Sequence, residues 1–168
     1  GLTDEIRNRV LDLLSEPSAG RPVERLARAV GIRAVLDDLE SEIEKTVGGA
    51  DESPATPKIE KDIRDARIRS ALIERRIDLL NLLSDWQRDV LALSLGADED
   101  HLRLPDRLEA LRREAAPLDP AAALRRVQCV DDLHRRLERN LPVEWMLESF
   151  FQELDQTRAF RPEKEGVK

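Results

Sequence analysis

The sequence predicts an all-α fold, a helical bundle with one long helix. Three observations carry that expectation. Apolar residues recur at steps of three and four through most of the chain. No Val/Ile/Thr run alternates strictly, so no strand is expected. From Lys58 to Leu95 there is neither proline nor glycine, a span that only a continuous helix explains simply.

The elements follow from their punctuation. Thr3 is placed to cap a first helix, with Asp4 and Glu5 at its positive end. Ile6, Val10, Leu13 and Leu14 share one face, and Glu16-Pro17-Ser18-Ala19-Gly20 stops the helix. Pro22 suits a first helical position. Val23, Leu26, Ala27, Val30 and Ala34 form a stripe, continued by Val35, Leu39 and Ile43. Gly31 is a candidate break into two helices, and Gly48-Gly49 ends the stretch.

Residues 48–57 are rich in Gly, Asp, Ser and Pro and read as a flexible linker. Thr56-Pro57 pairs a cap with a first-turn proline. Beyond it Ile59, Ile63, Ala66, Ile73, Ile77 and Leu80 follow a heptad-like seam, with Ser70 in the missing seat. The seam is expected to run on through Leu83, Trp86, Val90 and Leu93. Leu72, Leu79 and Leu82 widen the apolar face. A helix of about 38 residues is roughly 57 Å long, so part of it should project or pack on a neighbour. Gly96 ends it.

Leu104-Pro105-Asp106 opens a shorter helix with Leu108 and Leu111 inward. Asp119-Pro120 opens the next, with a stripe of Ala123, Leu124, Val127, Val130, Leu133 and Leu137. Pro142 restarts the chain into a last helix carrying Val143, Met146, Leu147, Phe150, Phe151 and Leu154. The organisation expected is lead-in helices over 1–47, the linker 48–57, a helical domain over 58–160 and a disordered tail over 161–168. The chain opens on Gly1 rather than Met, so a longer parent with N-terminal partner domains is expected.

Composition narrows the function. The 168 residues carry 28 Lys and Arg against 35 Asp and Glu, a net charge of −7. A chain of this length buries roughly 70% of its unfolded surface in a single core. The acidic balance opposes a nucleic-acid-coating role, which needs a basic face. With aromatics at 3% and no Tyr, a base-stacking platform is hard to build. Leu26 to Leu39, with Leu-Ala-Arg-Ala-Val-Gly-Ile, faintly resembles a helix-turn-helix. Its second helix would carry Asp37, Asp38, Glu40 and Glu42, which repel phosphate. The single Cys129 excludes an intramolecular disulfide and a cysteine zinc cluster. No run of about 18 apolar residues spans a membrane, and no signal peptide is visible at the start.

Catalytic signatures are missing as well. The seven glycines form neither GxxxxGK[ST] nor GxGxxG, and no nucleophile elbow occurs. Asp37-Asp38 and Asp131-Asp132 are adjacent on helices, where neighbours point about 100° apart, and read as solvated faces. The two histidines, His101 and His134, are too few for a His-rich metal site. Asp131 precedes His134 by three residues without a second copy, so it does not repeat a di-metal pattern. Cys129 reads as a buried structural thiol. No catalytic residue, cofactor or metal is therefore assigned. Trp86 and Trp145 are expected as core anchors, and Arg88-Asp89, a charged pair among apolar positions, as a contact that fixes this helix against another helix or subunit.

The stretch Leu82 to Leu93, containing Trp86-Gln87-Arg88-Asp89-Val90 and followed by Gly96, resembles the C-terminal collar domain of the delta-prime subunit of bacterial DNA polymerase III clamp loaders. That family carries L-x-x-W-x-R-D-L-L-x-L before a short glycine-containing loop. Its second block, N-x-N-x-x-L-x-L-E before an apolar last helix, is similar to Asn140, Leu147 and Glu148 here. Pro142 stands where the family has its second Asn, and Trp145 where it has Leu. The resemblance covers about residues 58–156. It implies a cytoplasmic bacterial protein whose AAA+ module lies N-terminal to this domain. It also implies that the domain packs in a ring with the other clamp-loader subunits and supports sliding-clamp loading in DNA replication. The candidate subunit-packing or structural residues are then Trp86, Arg88, Asp89, Asn140, Trp145 and Glu148. No nucleic acid or membrane contact is expected. The alternative from the residues alone is an unrelated helical adaptor or coiled-coil dimer that uses the seam from Ile59 to Leu80.

Overall fold

The computed structural model describes residues 2–18, 20–47, 58–137 and 143–159. Among them the chain forms six α-helices and two 3₁₀ turns, with no strand. The proposed linker 48–57, the Thr56-Pro57 start, Asn140, Pro142 and the tail 161–168 lie outside the described residues.

Helix α1 spans Asp4–Ser15. Thr3 Oγ1 accepts the Ile6 N–H at 3.4 Å, satisfying one orphan donor of the first turn. Its other end has no basic residue of its own, so distant arginines meet its carbonyls. Arg113 donates to the Ser15 carbonyl at 2.6 Å, and Arg28 donates to those of Leu14 and Glu16. These cations satisfy unpaired carbonyls at the negative end of the helix dipole.

Helix α2 spans Pro22–Val47 and passes through Gly31 without a break. A side chain at Gly31 would set a Cβ 2.6 Å from Leu13 Cδ2, so the glycine lets α1 lie close on α2. The expected stripe is also corrected. The buried face is Ala29, Ile32, Val35, Leu39 and Ile43, with Arg28 among them, whereas Val23, Leu26, Ala27, Val30 and Ala34 are exposed. Ala34 and Val35 are sequence neighbours about 100° apart. Joining them linked two opposite faces into one stripe.

Helix α3 spans Lys58–Ser94, 37 residues and roughly 55 Å. Gly96 at φ 75° ends it, with the Ala97 N–H on the Ala92 carbonyl at 3.0 Å and the Gly96 N–H on Leu93 at 3.0 Å. That is the paired closure for which a left-handed glycine is suited. The buried residues of α3 begin only at Leu79. Ile59, Ile63, Ile73 and Ile77 are exposed, so the seam does not run on into Leu83, Trp86 and Val90. Two successive steps of three, Leu80 to Leu83 to Trp86, turn the apolar stripe to the other side of the helix.

Asp98 to Arg107 makes two 3₁₀ turns, Glu99–His101 and Pro105–Arg107. They lead into α4, Leu108–Ala115. Helix α5 spans Pro120–Leu137, and Asp119 Oδ1 accepts the Ala122 N–H at 2.7 Å as its cap. Helix α6 spans Val143–Ala159 and buries Met146, Leu147, Phe150, Phe151 and Leu154. Helix α5 packs on α3 and α6, α6 on α2, α4 on α3, and α1 on α2. All six helices contribute to one core.

Candidate functional site

The second half of α3 holds the first sequence block, and its residues divide by direction. Trp86 is fully buried. Its indole N–H donates to Glu114 Oε2 of α4 at 2.9 Å. Glu114 Oε1 in turn accepts from Arg126 Nη1 of α5 at 2.6 Å. Arg126 Nε donates to Thr157 Oγ1 of α6 at 3.0 Å, and the Thr157 hydroxyl donates to the Leu154 carbonyl at 2.6 Å. One chain of hydrogen bonds thus ties α3, α4, α5 and α6 across the core. Arg126 and Glu114 are both buried, and such a pair is favourable only while each partner keeps its hydrogen bonds.

Asp89 is buried and does a different task. Its carboxylate accepts the Arg103 N–H at 3.0 and 3.1 Å and the Leu104 N–H at 2.8 Å. It therefore anchors the loop between α3 and α4 just before the second 3₁₀ turn. The Arg103 side chain closes the same junction on Asp85. Asp89→Ala is expected to cost about 1–3 kcal/mol, because a buried and a part-buried backbone donor lose their acceptor. Hydrogen exchange at the Arg103 and Leu104 amides should speed up in that variant. Unchanged exchange there would show that Asp89 does not hold the loop. Arg88, next to it in sequence, is exposed.

The second block is not brought to this centre. Trp145 is 74% exposed at the start of α6, which corrects its expected place as a core anchor. The buried face of α6 begins one residue later at Met146, so the indole is carried outward. Leu147 is buried and Glu148 exposed. On α5, Leu124 is likewise exposed, and Arg126 takes the inward seat beside Ala122, Ala123 and Val130.

The residues that sequence reading missed are Glu114, Arg126, Thr157 and Arg28. Burial lowers the Arg28 guanidinium from its ordinary value, and the charge of Glu114 opposes that shift. A cleft beside it is lined by Leu14, Glu16, Arg28, Arg113, Glu114 and Arg158. Its arginines are already committed to Glu16, Ser15 and Ser18 carbonyls, which makes it a structural junction. Cys129 is partly buried, and burial followed by the charges of Glu153 and Asp132 raises its thiol above the ordinary value. That shift disfavours the reactive thiolate.

Among the described residues no group of three or more His, Cys, Asp or Glu could hold a metal ion. No described helix is long and apolar enough to cross a membrane. Of the adjacent acids, Asp37 pairs with Arg33 at 2.7 Å, Asp38 with Arg9 at 2.8 Å and Asp132 with Arg135 at 3.1 Å. What the surface does offer is apolar. On α2, Val23, Leu26 and Val30 are 68%, 51% and 59% exposed, one turn apart on the face opposite the core. No protein-family model, curated protein or solved structure matches the chain.

Proposed function

We propose that this chain is a collar-type packing domain of a clamp-loader delta-prime subunit, which joins the other clamp-loader subunits and so supports the loading of a sliding clamp. The observation that carries the reading is the two-sided apolar character of α2. Ile32, Val35 and Leu39 enter the core, while Val23, Leu26 and Val30 face out. A subunit-packing helix needs both faces, one to hold its own domain and one to meet a neighbour. The Trp86–Asp89 block supports the same reading from inside. Trp86 and Asp89 make the body rigid, through Glu114 and the Arg103–Leu104 backbone respectively, and a rigid body can present a defined face. In this reading the domain binds subunits and performs no catalysis.

The test is sedimentation velocity of the chain mixed with the other clamp-loader subunits of its source organism. A hetero-oligomer should form, and Leu26→Glu/Val30→Glu should abolish it. Both positions are exposed, so the variant keeps its helical circular dichroism. A complex that survives the double variant would move the interface off α2. The lack of any complex would remove the collar reading.

A further inference from the structure

The first half of α3 carries a second apolar surface. Ile59, Ile63, Ile73 and Ile77 are exposed, and Ala66 and Ser70, also exposed, fill the seats between them. The steps alternate four and three, the a/d repeat of a coiled coil. At about 100° per residue, this seam lies nearly opposite Leu72 and Leu79, the side turned to α2 and the core. Four exposed isoleucines in one line exceed the scattered apolar residues that any surface tolerates.

We propose that this seam pairs with the same seam of a second copy of the chain, as a parallel, in-register two-stranded coiled coil. The flanking charges select both the occupant and the direction. With Ile63, Ser70 and Ile77 at a and Ile59, Ala66 and Ile73 at d, Asp62 and Arg69 fall at g, and Arg67 and Glu74 at e. All four are exposed, and none has an ion pair to another described residue. In a parallel pair each g residue faces the e residue five positions further along the other helix. Asp62 of one copy then meets Arg67 of the other, and Arg69 meets Glu74. Both contacts are attractive, and the two-fold axis repeats them. An antiparallel pair with Ala66 against Ser70 brings Arg67 onto Arg67, Arg69 onto Arg69 and Glu60 onto Glu74, against one attractive contact, Asp62 with Arg76. The charge pattern therefore fits a second copy in parallel and opposes the reverse. The seam lies apart from the outer face of α2, so separate variants test the two surfaces, and a homodimer through the seam favours the coiled-coil alternative over the collar reading.

Sedimentation equilibrium of the full chain is expected to show a dimer. Arg69→Glu should weaken it on the order of tenfold, because two attractive pairs become repulsive. The swap Arg69→Glu/Glu74→Arg should restore it. In a Cys129→Ser background, Ser70→Cys should cross-link on oxidation, since a parallel in-register pair sets that position against itself. Arg69, Ser70 and Glu74 are exposed and Cys129 is partly buried, and circular dichroism checks that each variant folds. A monomer across the accessible concentration range overturns the proposal. So does a dimer indifferent to Arg69→Glu, or one that the Ser70→Cys variant fails to cross-link. Association of the seam only with a different protein overturns the choice of a second copy.

Discussion

Glu114→Leu is expected to lose about 3–5 kcal/mol of stability, the usual loss when one partner of a buried ion pair is removed. The carboxylate accepts from the Trp86 indole and from Arg126, and Arg158 lies 4.0 Å away. Leucine leaves Arg126 almost fully buried with its charge uncompensated, its remaining partners being the Thr157 hydroxyl and the Leu154 carbonyl. Whole-domain stabilities are about 5–15 kcal/mol, so this single change removes a large share. A urea titration followed by circular dichroism measures it. The pairing also predicts coupling. Arg126→Met should be costly alone, and the double variant should lose less than the sum, because residues in one network are not additive. A loss below about 1 kcal/mol for Glu114→Leu would show that the network does not hold the four helices together.

Trp86→Ala is expected to cost about 3–5 kcal/mol, the range for removing a large aromatic side chain from a packed core. Two losses combine there. The indole is fully buried between α3 and its neighbours, so its removal leaves a cavity. Its N–H also supplies one of the hydrogen bonds to Glu114. Trp86→Phe separates the two, since it keeps most of the apolar volume and drops the hydrogen bond. That variant should lose about 1–3 kcal/mol, the cost of an unmade buried hydrogen bond. An unchanged unfolding midpoint for Trp86→Ala would contradict the placement of this side chain at the centre of the body.

The two variants also show what was legible in the sequence. Helix starts and stops were readable because they are local. Thr3, Asp119 and Gly96 act through their own neighbours, and each does what its position suggests. The polar centre was not readable as a site, since its members lie on four helices and meet only in space. A signal was nonetheless present. Glu114, Arg126 and Thr157 each occupy a seat where the apolar spacing calls for a hydrophobic side chain, as Arg126 does between Ala123 and Val130. A charged residue on an apolar stripe is either an error of register or one half of a buried pair. Three such seats on consecutive helices indicate pairing.

Periodicity alone also failed to say which face is inward. On α2 both faces are apolar, and Arg28 sits on the buried one. On α3 the isoleucine seam has better heptad spacing than the stripe that enters the core, yet it is the exposed one. Spacing reports that a face is apolar. It carries no information on whether the covering surface belongs to the same chain. Trp145 is the same case for a single residue, a large apolar side chain next in sequence to the buried Met146.

In the proposed packing the outer face of α2 meets subunits of a clamp loader. Hydrogen–deuterium exchange of the chain, alone and mixed with clamp-loader subunits, reads that face. Slowed exchange is expected over residues 22–34, with no change over Trp86 to Asp89, where Trp86, Gln87 and Asp89 are already buried. Unaltered exchange over 22–34 in a complex that demonstrably forms would contradict that packing.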